Sequence, residues 1–342
     1  SGLLSAPPMD LLFPAPAAGG PTRRRNVSAL ALIEDQGKGW FLVDCGEATQ
    51  HQLLRTPLSA ADLRAICITH VHGDHCYGLP GLLASAAMTG RRQPLLLIAP
   101  QAVHDWLAAT QLLTALHLPF ELRVHALEGF TGVAVGAWDI DAFALSHRVP
   151  SHAFRFRETR RPQRLDPAAL AAAQVPRGPL WGRLHGGEDV LHEGRLLRSA
   201  DFLQAAHGER RLVVAGDNDD PALLTEACRG AQLLVHEATY AQAQIDKTGQ
   251  SWGHSSAAGV ARFAEAQALP ALLLTHFSPR YQAEAGRSPC IDELRREAAA
   301  CYSGHLQLAE DFARFRLDRQ GQLKALDQSG GAGDGDPQQE RG

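Results

Sequence analysis

Six short apolar segments, separated by polar or glycine-containing stretches, constrain what this chain can fold into. They occupy residues 40–46, 65–70, 94–100, 211–217, 232–238 and 271–277. Runs of this length and composition are typical of buried β-strands. Patterns with helical periodicity occupy residues 78–90, 101–113, 255–269 and 288–302, each after one of these runs. The alternation of strands and helices predicts a layered α/β fold.

Four of the apolar runs end in a residue type that can bind a metal ion. These residues are His70, Asp217, either His236 or Glu237, and His276. In α/β folds, functional side chains gather at the carboxyl ends of strands. The positions therefore predict that distant segments of the chain converge on one site.

The stretch that begins at His70 concentrates four ligand types on one turn. His70, His72, Asp74 and His75 have the spacing H-x-H-x-D-H. A helix would scatter these side chains around its axis, whereas a turn after a strand can direct them into one pocket. Four ligands this close do not fit one tetrahedral ion, so we expect His70 and His72 on one ion and Asp74 and His75 on another. A polar turn of solvated histidines is the alternative interpretation.

The bulk composition is that of an ordinary globular protein. The chain has 342 residues, of which 45% are hydrophobic and 20% charged, and its net charge of −4 requires any contact with nucleic acid to use a local basic patch. The six cysteines form no C-x-x-C pair, so we expect buried free thiols. The sequence shows neither a membrane-length apolar run nor a signal-peptide pattern, and we expect a cytoplasmic protein without membrane contact.

Three segments lie outside the alternating pattern. We interpret residues 1–8 as an N-terminal extension or a cloning remnant, and the Gly/Asp/Gln-rich residues 327–342 as a disordered tail. The segment 155–198 contains nine arginines against five acidic residues and is interrupted by prolines and glycines. We interpret it as an excursion from the core, with a short helix around residues 167–174 and a turn at 175–182.

Eight motifs resemble, in order along the chain, those of the tRNase Z (ribonuclease Z) family in its short bacterial form, which is similar to RNase BN. They are PTRRRN (21–26), DCGEATQHQLL (44–54), THVHGDHCYGLPGLL (69–83), LSHRVPSHAFRF (145–156), AGDN (215–218), VHEATY (235–240), GHSS (253–256) and LTHFSPRY (274–281). The resemblance implies one metallo-β-lactamase domain over residues 9–318. Its implied fold is a four-layer αββα sandwich with a flexible arm, or exosite, inserted at about residues 155–200.

The same resemblance implies two zinc ions per subunit, which Mn²⁺, Co²⁺ or Mg²⁺ could replace. It assigns His70, His72 and His147 to one ion, Asp74, His75 and His276 to the other, and Asp217 to a bridge between them. Two such ions activate water for attack on phosphorus, and the resemblance gives Asp74 the role of orienting that water. We expect His254, oriented by Glu237, to protonate the leaving oxygen. The alternative is that His254 merely precedes a capped helix.

The reaction that the resemblance implies is removal of the 3′ trailer from precursor tRNA, which leaves a 3′-hydroxyl on the tRNA. Exonucleolytic trimming of 3′ ends is a further activity open to the same site. The arm would grip the RNA through its phosphates, and the family implies a homodimer. The candidate RNA contacts are Arg23, Arg25, Arg177, Arg183 and Arg280.

Two other functions remain open at this stage. The first is a metal-dependent phosphodiesterase of the same fold that acts on small or cyclic phosphodiesters, although such an enzyme should lack the arm. The second is a non-catalytic RNA-binding or scaffolding protein, although seven intact ligands argue against a degenerate site.

Overall fold

The computed structural model describes residues 9–34, 38–284 and 286–326. The expected N-terminal extension and disordered tail lie outside these residues. The strands are β1 Met9–Ala15, β2 Ala29–Ile33, β3 Trp40–Val43, β4 Leu63–Cys67, β5 Leu95–Ala99, β6 Leu122–Ala126, β7 Val133–Val135, β8 Trp138–Leu145, β9 Ser151–Glu158, β10 Gln163–Leu165, β11 Val190–His192, β12 Arg195–Leu197, β13 Leu203–Ala205, β14 Arg211–Ala215, β15 Leu233–Glu237, β16 Ala271–Thr275, β17 His305–Leu308, β18 Arg314–Leu317 and β19 Leu323–Leu326. The helices are α1 Thr49–Leu53, α2 Gly73–Cys76, α3 Leu79–Met88, α4 Gln101–Thr114, α5 Pro167–Ala172, α6 Pro179–His185, α7 Gln242–Thr248, α8 Ala257–Ala266 and α9 Ile291–Ala299. Among these described helices, none has both the length and the apolar character needed to cross a membrane.

Two large sheets pack face to face at the centre of the fold. The first has the strand order β19-β18-β1-β2-β3-β4-β5-β6, and the second has the order β17-β16-β15-β14-β9-β8-β7. Apolar side chains from both sheets fill the space between them, and Phe41 meets Phe156 edge to face at a ring-centroid distance of 5.5 Å. Helices α3 and α4 cover the outer face of the first sheet, and α8 and α9 cover that of the second. The predicted αββα layering is therefore confirmed.

All six strands predicted from the apolar runs are present as β3, β4, β5, β14, β15 and β16. The four predicted helices correspond to α3, α4, α8 and α9. Strands β3 to β6 pair in parallel in one sheet, and β14 to β17 do so in the other. Parallel strands buried on both faces give continuous apolar runs, which explains why sequence periodicity found these elements.

The antiparallel halves of the two sheets contain strands that the apolar runs did not predict. Strand β1 contains Pro14, and its pairing with β2 shifts register between Leu12 and Ala15. A proline has no N–H for the ladder, and an irregularity of this kind accommodates it. Just beyond β1, the carbonyl of Pro16 accepts a hydrogen bond from the N–H of Phe277 at 3.1 Å. This contact ties the end of β1 to the loop that follows β16.

In the structure the arm begins later in the chain than residue 155, where it was expected to start. Arg155 and Arg157 belong to β9, where they alternate with the buried Phe154 and Phe156. Their guanidinium groups face aspartates on β8, and Arg155 donates to Asp141 at 2.7 and 3.0 Å. The period-two alternation identifies a core strand, so the arm begins only after residue 158.

The arm has a small apolar core of its own. This core contains Leu170, Val175, Leu184, Val190, Leu197 and Phe202. The expected short helix is α5, which is capped by Asp166 through hydrogen bonds to the N–H groups of Ala168 and Ala169. The expected turn at 175–182 is partly wrong, because Pro179 begins helix α6. Proline is favoured at a first helical position, where no N–H is needed.

A buried ion pair fixes the base of the arm to the sandwich. Glu158 ends β9, and Arg210 precedes β14, with 4% and 1% of their surfaces exposed. The guanidinium donates to both carboxylate oxygens, at 2.8 and 2.9 Å. Arg210 also donates to the carbonyl of Leu317 at 3.3 Å and lies over the ring of Trp138. The two ends of the arm therefore meet at a buried pair of opposite charges that is also hydrogen-bonded.

We predict that Glu158→Gln lowers the free energy of unfolding by about 3–5 kcal/mol, because it removes the carboxylate charge to which the buried Arg210 guanidinium donates two hydrogen bonds. Denaturant titration followed by circular dichroism measures the change. Glu188→Gln is the matched control, since it removes an exposed glutamate–arginine pair within the arm. The control should leave the midpoint essentially unchanged. Equal, small effects of both substitutions would show that the pair at the base is dispensable.

Candidate metal centre

The loops that follow four strands of the two sheets, three of them parallel strands, bring the seven predicted ligands to one edge of the sandwich. The ligand atoms fall into groups in which every atom lies within 4.8 Å of the others. The set comprises His70 after β4, His72, Asp74 and His75 in and beside α2, His147 between β8 and β9, Asp217 after β14, and His276 after β16. The predicted convergence of distant strand ends is thus present in the structure.

The first group surrounds one oxygen of Asp217. The Nε2 atoms of His70 and His147 each lie 3.6 Å from Asp217 Oδ2. His147 Nε2 also lies 3.2 Å from His72 Nδ1. Three imidazoles and one carboxylate oxygen are the donor set that zinc prefers.

The second group surrounds the other oxygen of the same carboxylate. His75 Nε2 and His276 Nε2 each lie 3.3 Å from Asp217 Oδ1 and 3.4 Å from Asp74 Oδ2. The two imidazole nitrogens are themselves 3.1 Å apart. Each oxygen of Asp217 therefore faces a different group of possible metal ligands.

The buried nitrogens of these groups fit a bound cation. His70 is fully buried, and its Nε2 atom has no hydrogen-bond partner among the described residues. A buried polar atom of this kind is costly unless something binds it. Burial, together with the neighbouring His75, holds the pKa of His70 well below its usual value. The imidazole is therefore neutral, which is the form that binds a metal.

Asp44, which is not among the site residues predicted from the sequence, orients two of the ligand-bearing segments. Its Oδ2 atom accepts hydrogen bonds from His75 Nδ1 at 2.6 Å and from Thr69 Oγ1 at 2.9 Å, while Oδ1 accepts from the N–H of Thr69 at 2.8 Å. Asp44 has a φ of 61°, a left-handed conformation that aspartate tolerates better than most residues. It follows β3 directly, so the rule that identified His70 and His276 also applied to Asp44.

Other hydrogen bonds hold the remaining imidazoles from behind. His147 Nδ1 donates to the carbonyl of Gly253 at 2.6 Å, and His276 Nδ1 lies 3.1 Å from Thr239 Oγ1. His276 itself has a φ of 56°, an unusual backbone conformation of the kind that clusters at functional sites. Partners of this kind fix the tautomer and the ring orientation of a ligating histidine.

His254 and Glu237 form a charged pair beside the metal ligands. His254 Nδ1 lies 3.0 and 3.1 Å from the two oxygens of Glu237, which is buried. Burial lowers the pKa of His254, but the charge and hydrogen bond of Glu237 outweigh this effect and raise it to about 9. With Nδ1 engaged by Glu237, His254 is suited to donate a proton, and its ligand-type atoms also lie within 4.8 Å of Asp217 and His276.

His236, the alternative to Glu237 at the end of β15, has a structural position. It is fully buried, its Nδ1 atom contacts the carbonyl of Glu237 at 2.8 Å, and its Nε2 atom lies 3.1 Å from Asn218 Nδ2. Asn218 in turn donates its backbone N–H to Glu237 at 2.8 Å. This network supports the residue next to Asp217, so His236 acts through its neighbours.

The five candidate RNA contacts fall in different environments. Arg25 is 7% exposed, and its guanidinium donates to the carbonyl of Tyr281, so its contact with phosphates stays a prediction. The backbone N–H of the next residue, Asn26, donates to the carboxylate of Asp311 at 3.1 and 3.3 Å. Arg23 is exposed, and Arg280 borders the open cleft beside His254. Arg177 and Arg183 are exposed on the arm.

We predict that Asp44→Asn lowers metal affinity about 10- to 100-fold, because the amide has one acceptor oxygen and its NH2 group must face a donor, either the Thr69 N–H or the pair His75 Nδ1 and Thr69 Oγ1. Asparagine keeps the left-handed backbone accessible, so the change isolates the lost acceptor. Competition with a chromogenic chelator measures the affinity. Asp105→Asn on the surface of α4 is the control, and equal affinities for both variants would contradict the role of Asp44.

Comparisons with known proteins identify relatives that share one name. The chain is 56% identical over 320 residues to "Ribonuclease Z" of Pseudomonas putida strain W619, covering 92% of this chain and 98% of that protein. It is 47% identical over 324 residues to "Ribonuclease Z" of Marinobacter nauticus, covering 93% and 99%. Residues 17–136, about a third of the chain, also match a family model described as anti-Pycsar protein Apyc1.

Solved structures agree with this relationship. Human tRNase Z, short form, superposes with a TM-score of 0.61 at 27% identity, covering 90% of this chain and 98% of that one. A metallo-β-lactamase fold protein from Bacillus subtilis superposes with a TM-score of 0.62 at 19% identity and the same coverage, which shows the shared fold. The predicted metallo-β-lactamase fold is thus confirmed, and the chain belongs to the ribonuclease Z family.

Proposed function

We propose that this chain is a metal-dependent endoribonuclease that removes the 3′ trailer from precursor tRNA and leaves a 3′-hydroxyl on the tRNA. One observation carries the proposal. The two oxygens of Asp217 face separate ligand groups, and the His254–Glu237 pair lies beside them. Two adjacent ions and a proton donor suit in-line cleavage of a phosphodiester. The relatives named ribonuclease Z support RNA as the substrate, and a tRNA substrate is consistent with a cytoplasmic location.

The proposal includes two zinc ions per chain. Their ligands would be His70, His72 and His147 for one, Asp74, His75 and His276 for the other, and Asp217 for both. When bound, the ions lower the pKa of a water molecule and offset charge on the phosphoryl oxygens. Manganese, cobalt or magnesium could replace zinc, and metal analysis of the purified protein identifies the ion.

Asp74 is placed to handle the attacking water. Its side chain is largely buried, and its Oδ2 atom accepts a hydrogen bond from the N–H of Gly19 at 2.7 Å. That contact, together with His75 and His276, holds the carboxylate in one orientation. In the proposed reaction Asp74 accepts a hydrogen bond from the water, orients it towards phosphorus and takes its proton.

His254 is the proposed proton donor for the leaving oxygen. Its Nδ1 atom is bound by Glu237, which keeps the ring charged and leaves the Nε2–H available to the substrate. Glu237 is itself fixed, because it accepts from the N–H of Asn218 and from the hydroxyl of Thr239. The donor is therefore oriented before the substrate binds.

The arm supplies the proposed contact with the body of the tRNA. Its exposed arginines include Arg164, Arg177, Arg195 and Arg198. The guanidinium of Arg177 lies 5.4 Å from the ring of Trp181, so an aromatic surface and a positive charge lie together. Such groups contact phosphates and unpaired bases without selecting a sequence. Homodimerisation belongs to the same proposal, and sedimentation equilibrium tests it.

Replacing the arm should abolish cleavage of precursor tRNA and spare hydrolysis of bis(p-nitrophenyl) phosphate. The N–H of Ala206 donates to the carbonyl of Pro162 at 2.8 Å, so a three-residue Gly-Ser link can replace residues 163–205. The arm has its own core, and the sandwich should fold without it. We expect kcat/KM for the RNA to fall at least 100-fold, on the order of the loss of several phosphate contacts.

The outcome of the arm replacement separates two enzyme classes. If the shortened protein cuts precursor tRNA as well as the full chain does, then the arm is not an RNA-binding element. Efficient turnover of small diesters alone by the full chain would favour the alternative phosphodiesterase.

We predict that His254→Ala lowers kcat for precursor tRNA by about 10²- to 10⁴-fold, the usual contribution of a general acid. The loss on bis(p-nitrophenyl) phosphate should be much smaller, because p-nitrophenolate leaves without a proton. Metal content should match that of the unmodified protein, since Nδ1 of His254 is bound to Glu237. A similar loss on both substrates would indicate that His254 supports the metal centre instead.

A further inference from the structure

An open cleft adjoins the proton donor and has the properties of a nucleotide-binding site. Its volume is about 510 Å³, within the range of small-molecule sites. His254 lies on its wall, together with Tyr240, Trp252, Arg148 and Arg280. No carboxylate of the described residues lines it. A cleft that combines aromatic rings and arginines without acidic groups suits an anion that carries a flat ring.

Two aromatic side chains form one side of this cleft. The rings of Tyr240 and Trp252 are 5.5 Å apart, and the ring of Tyr240 is 6.0 Å from that of His254. Trp252 is 40% exposed and belongs to none of the apolar clusters that the described residues form. An exposed indole face beside a reacting group is a surface on which a base can stack.

Trp252 has a backbone conformation that is unfavourable for its residue type. Its φ of 52° lies in the left-handed region, which a bulky residue rarely adopts. The next residue, Gly253, has a φ of 79°, and a Cβ atom there would lie 2.8 Å from His147 Nδ1. Because the Gly253 carbonyl also binds that nitrogen, the ligand His147 fixes the loop that presents the indole. The strain is therefore located between the metal ligands and the cleft.

Arg148 and Arg280 supply positive charge at the mouth of the cleft. Both are exposed, and within the described part of the chain neither forms an ion pair. Arg148 directly follows the ligand His147, and Arg280 lies four residues after the ligand His276. Two unpaired guanidinium groups suit the phosphates on either side of a nucleotide.

The chemistry of the proposed reaction decides which nucleotide occupies the cleft. The water oxygen forms a bond to phosphorus, the P–O3′ bond breaks, and O3′ leaves with the proton from His254. The trailer then carries the 5′-phosphate. The oxygen that His254 protonates thus belongs to the ribose of the last nucleotide retained on the tRNA. A ring that lies next to His254 is placed against that nucleotide, not against the trailer.

We propose that Trp252 and Tyr240 bind the base of the last nucleotide retained on the tRNA, with Arg148 and Arg280 on its flanking phosphates. The inference rests on the proposed function, since it requires cleavage at the junction of tRNA and trailer. It makes Trp252 a positioning residue that sets where the chain is cut.

The test combines variants of Trp252 with substrates that lack one base. Three precursor tRNAs are compared: an intact one, one that is abasic at the last retained nucleotide, and one that is abasic at the first trailer nucleotide. Trp252→Leu should lower kcat/KM on the intact RNA by about 5- to 150-fold, the equivalent of one base–aromatic stack. Trp252→Phe keeps an aromatic face and should retain most of the activity.

The decisive result is the coupling between protein and substrate changes. The loss caused by Trp252→Leu should disappear on the RNA that is abasic at the last retained nucleotide, and persist on the other two. Persistence of the loss on all three RNAs, or its disappearance only with the abasic trailer, overturns the inference. Tyr240→Leu repeats the test from the second ring, and thermal unfolding midpoints exclude a folding defect.

The same data distinguish failure of this inference from failure of the proposed function. If the unmodified protein, with metal bound, does not cut the intact precursor at the junction, then both the proposed function and this inference are contradicted. If it cuts there and the changes at Trp252 and at the base are simply additive, then the function stands and the assignment of the cleft is wrong.

Discussion

The structure depends on the bridging position of one buried carboxylate. Asp217 is 3% exposed, and each of its oxygens faces a separate set of imidazoles. A charge in this position is stable only when positive groups surround it, and the neighbouring histidines hold the pKa of Asp217 well below its usual value despite burial. The carboxyl ends of both parallel half-sheets must meet at this point. The packing of the two sheets therefore determines the spacing between the two ligand groups.

Two loops near Asp217 each contain both a residue of the metal site and a residue of the cleft. The loop 251–254 presents Trp252 to the cleft, binds His147 through the Gly253 carbonyl, and ends at His254. The loop after β16 likewise contains His276 and continues to Arg280. Such sharing couples metal binding to substrate position, because a shift in either loop moves a ligand and a substrate contact together. The unusual φ values at Trp252 and His276 lie at these shared points.

The arm, in contrast to these loops, is packed separately from the site. Its apolar cluster is separate from the three clusters of the sandwich, and the Glu158–Arg210 pair connects its base to them. In the proposed function, binding of the RNA body and cleavage of the phosphodiester therefore belong to parts with separate cores. In physical terms, affinity for the tRNA body can change in the arm without disturbing the spacing of the metal ligands.

The sequence by itself determined the parallel strands, the ligand types at their ends and the H-x-H-x-D-H spacing, although Asp74 and His75 lie in the short helix α2 and not on the expected turn. These features are local, because a buried strand is a continuous apolar run and a turn after it aligns nearby side chains. Only the tertiary structure decided the burial of Arg25 and the hydrogen bonds that join Asp44 to His75 and Thr69. It also placed Trp252 and Tyr240 next to His254. Each of these depends on contacts between segments far apart in the chain, and local spacing carries no information about which loop packs against which.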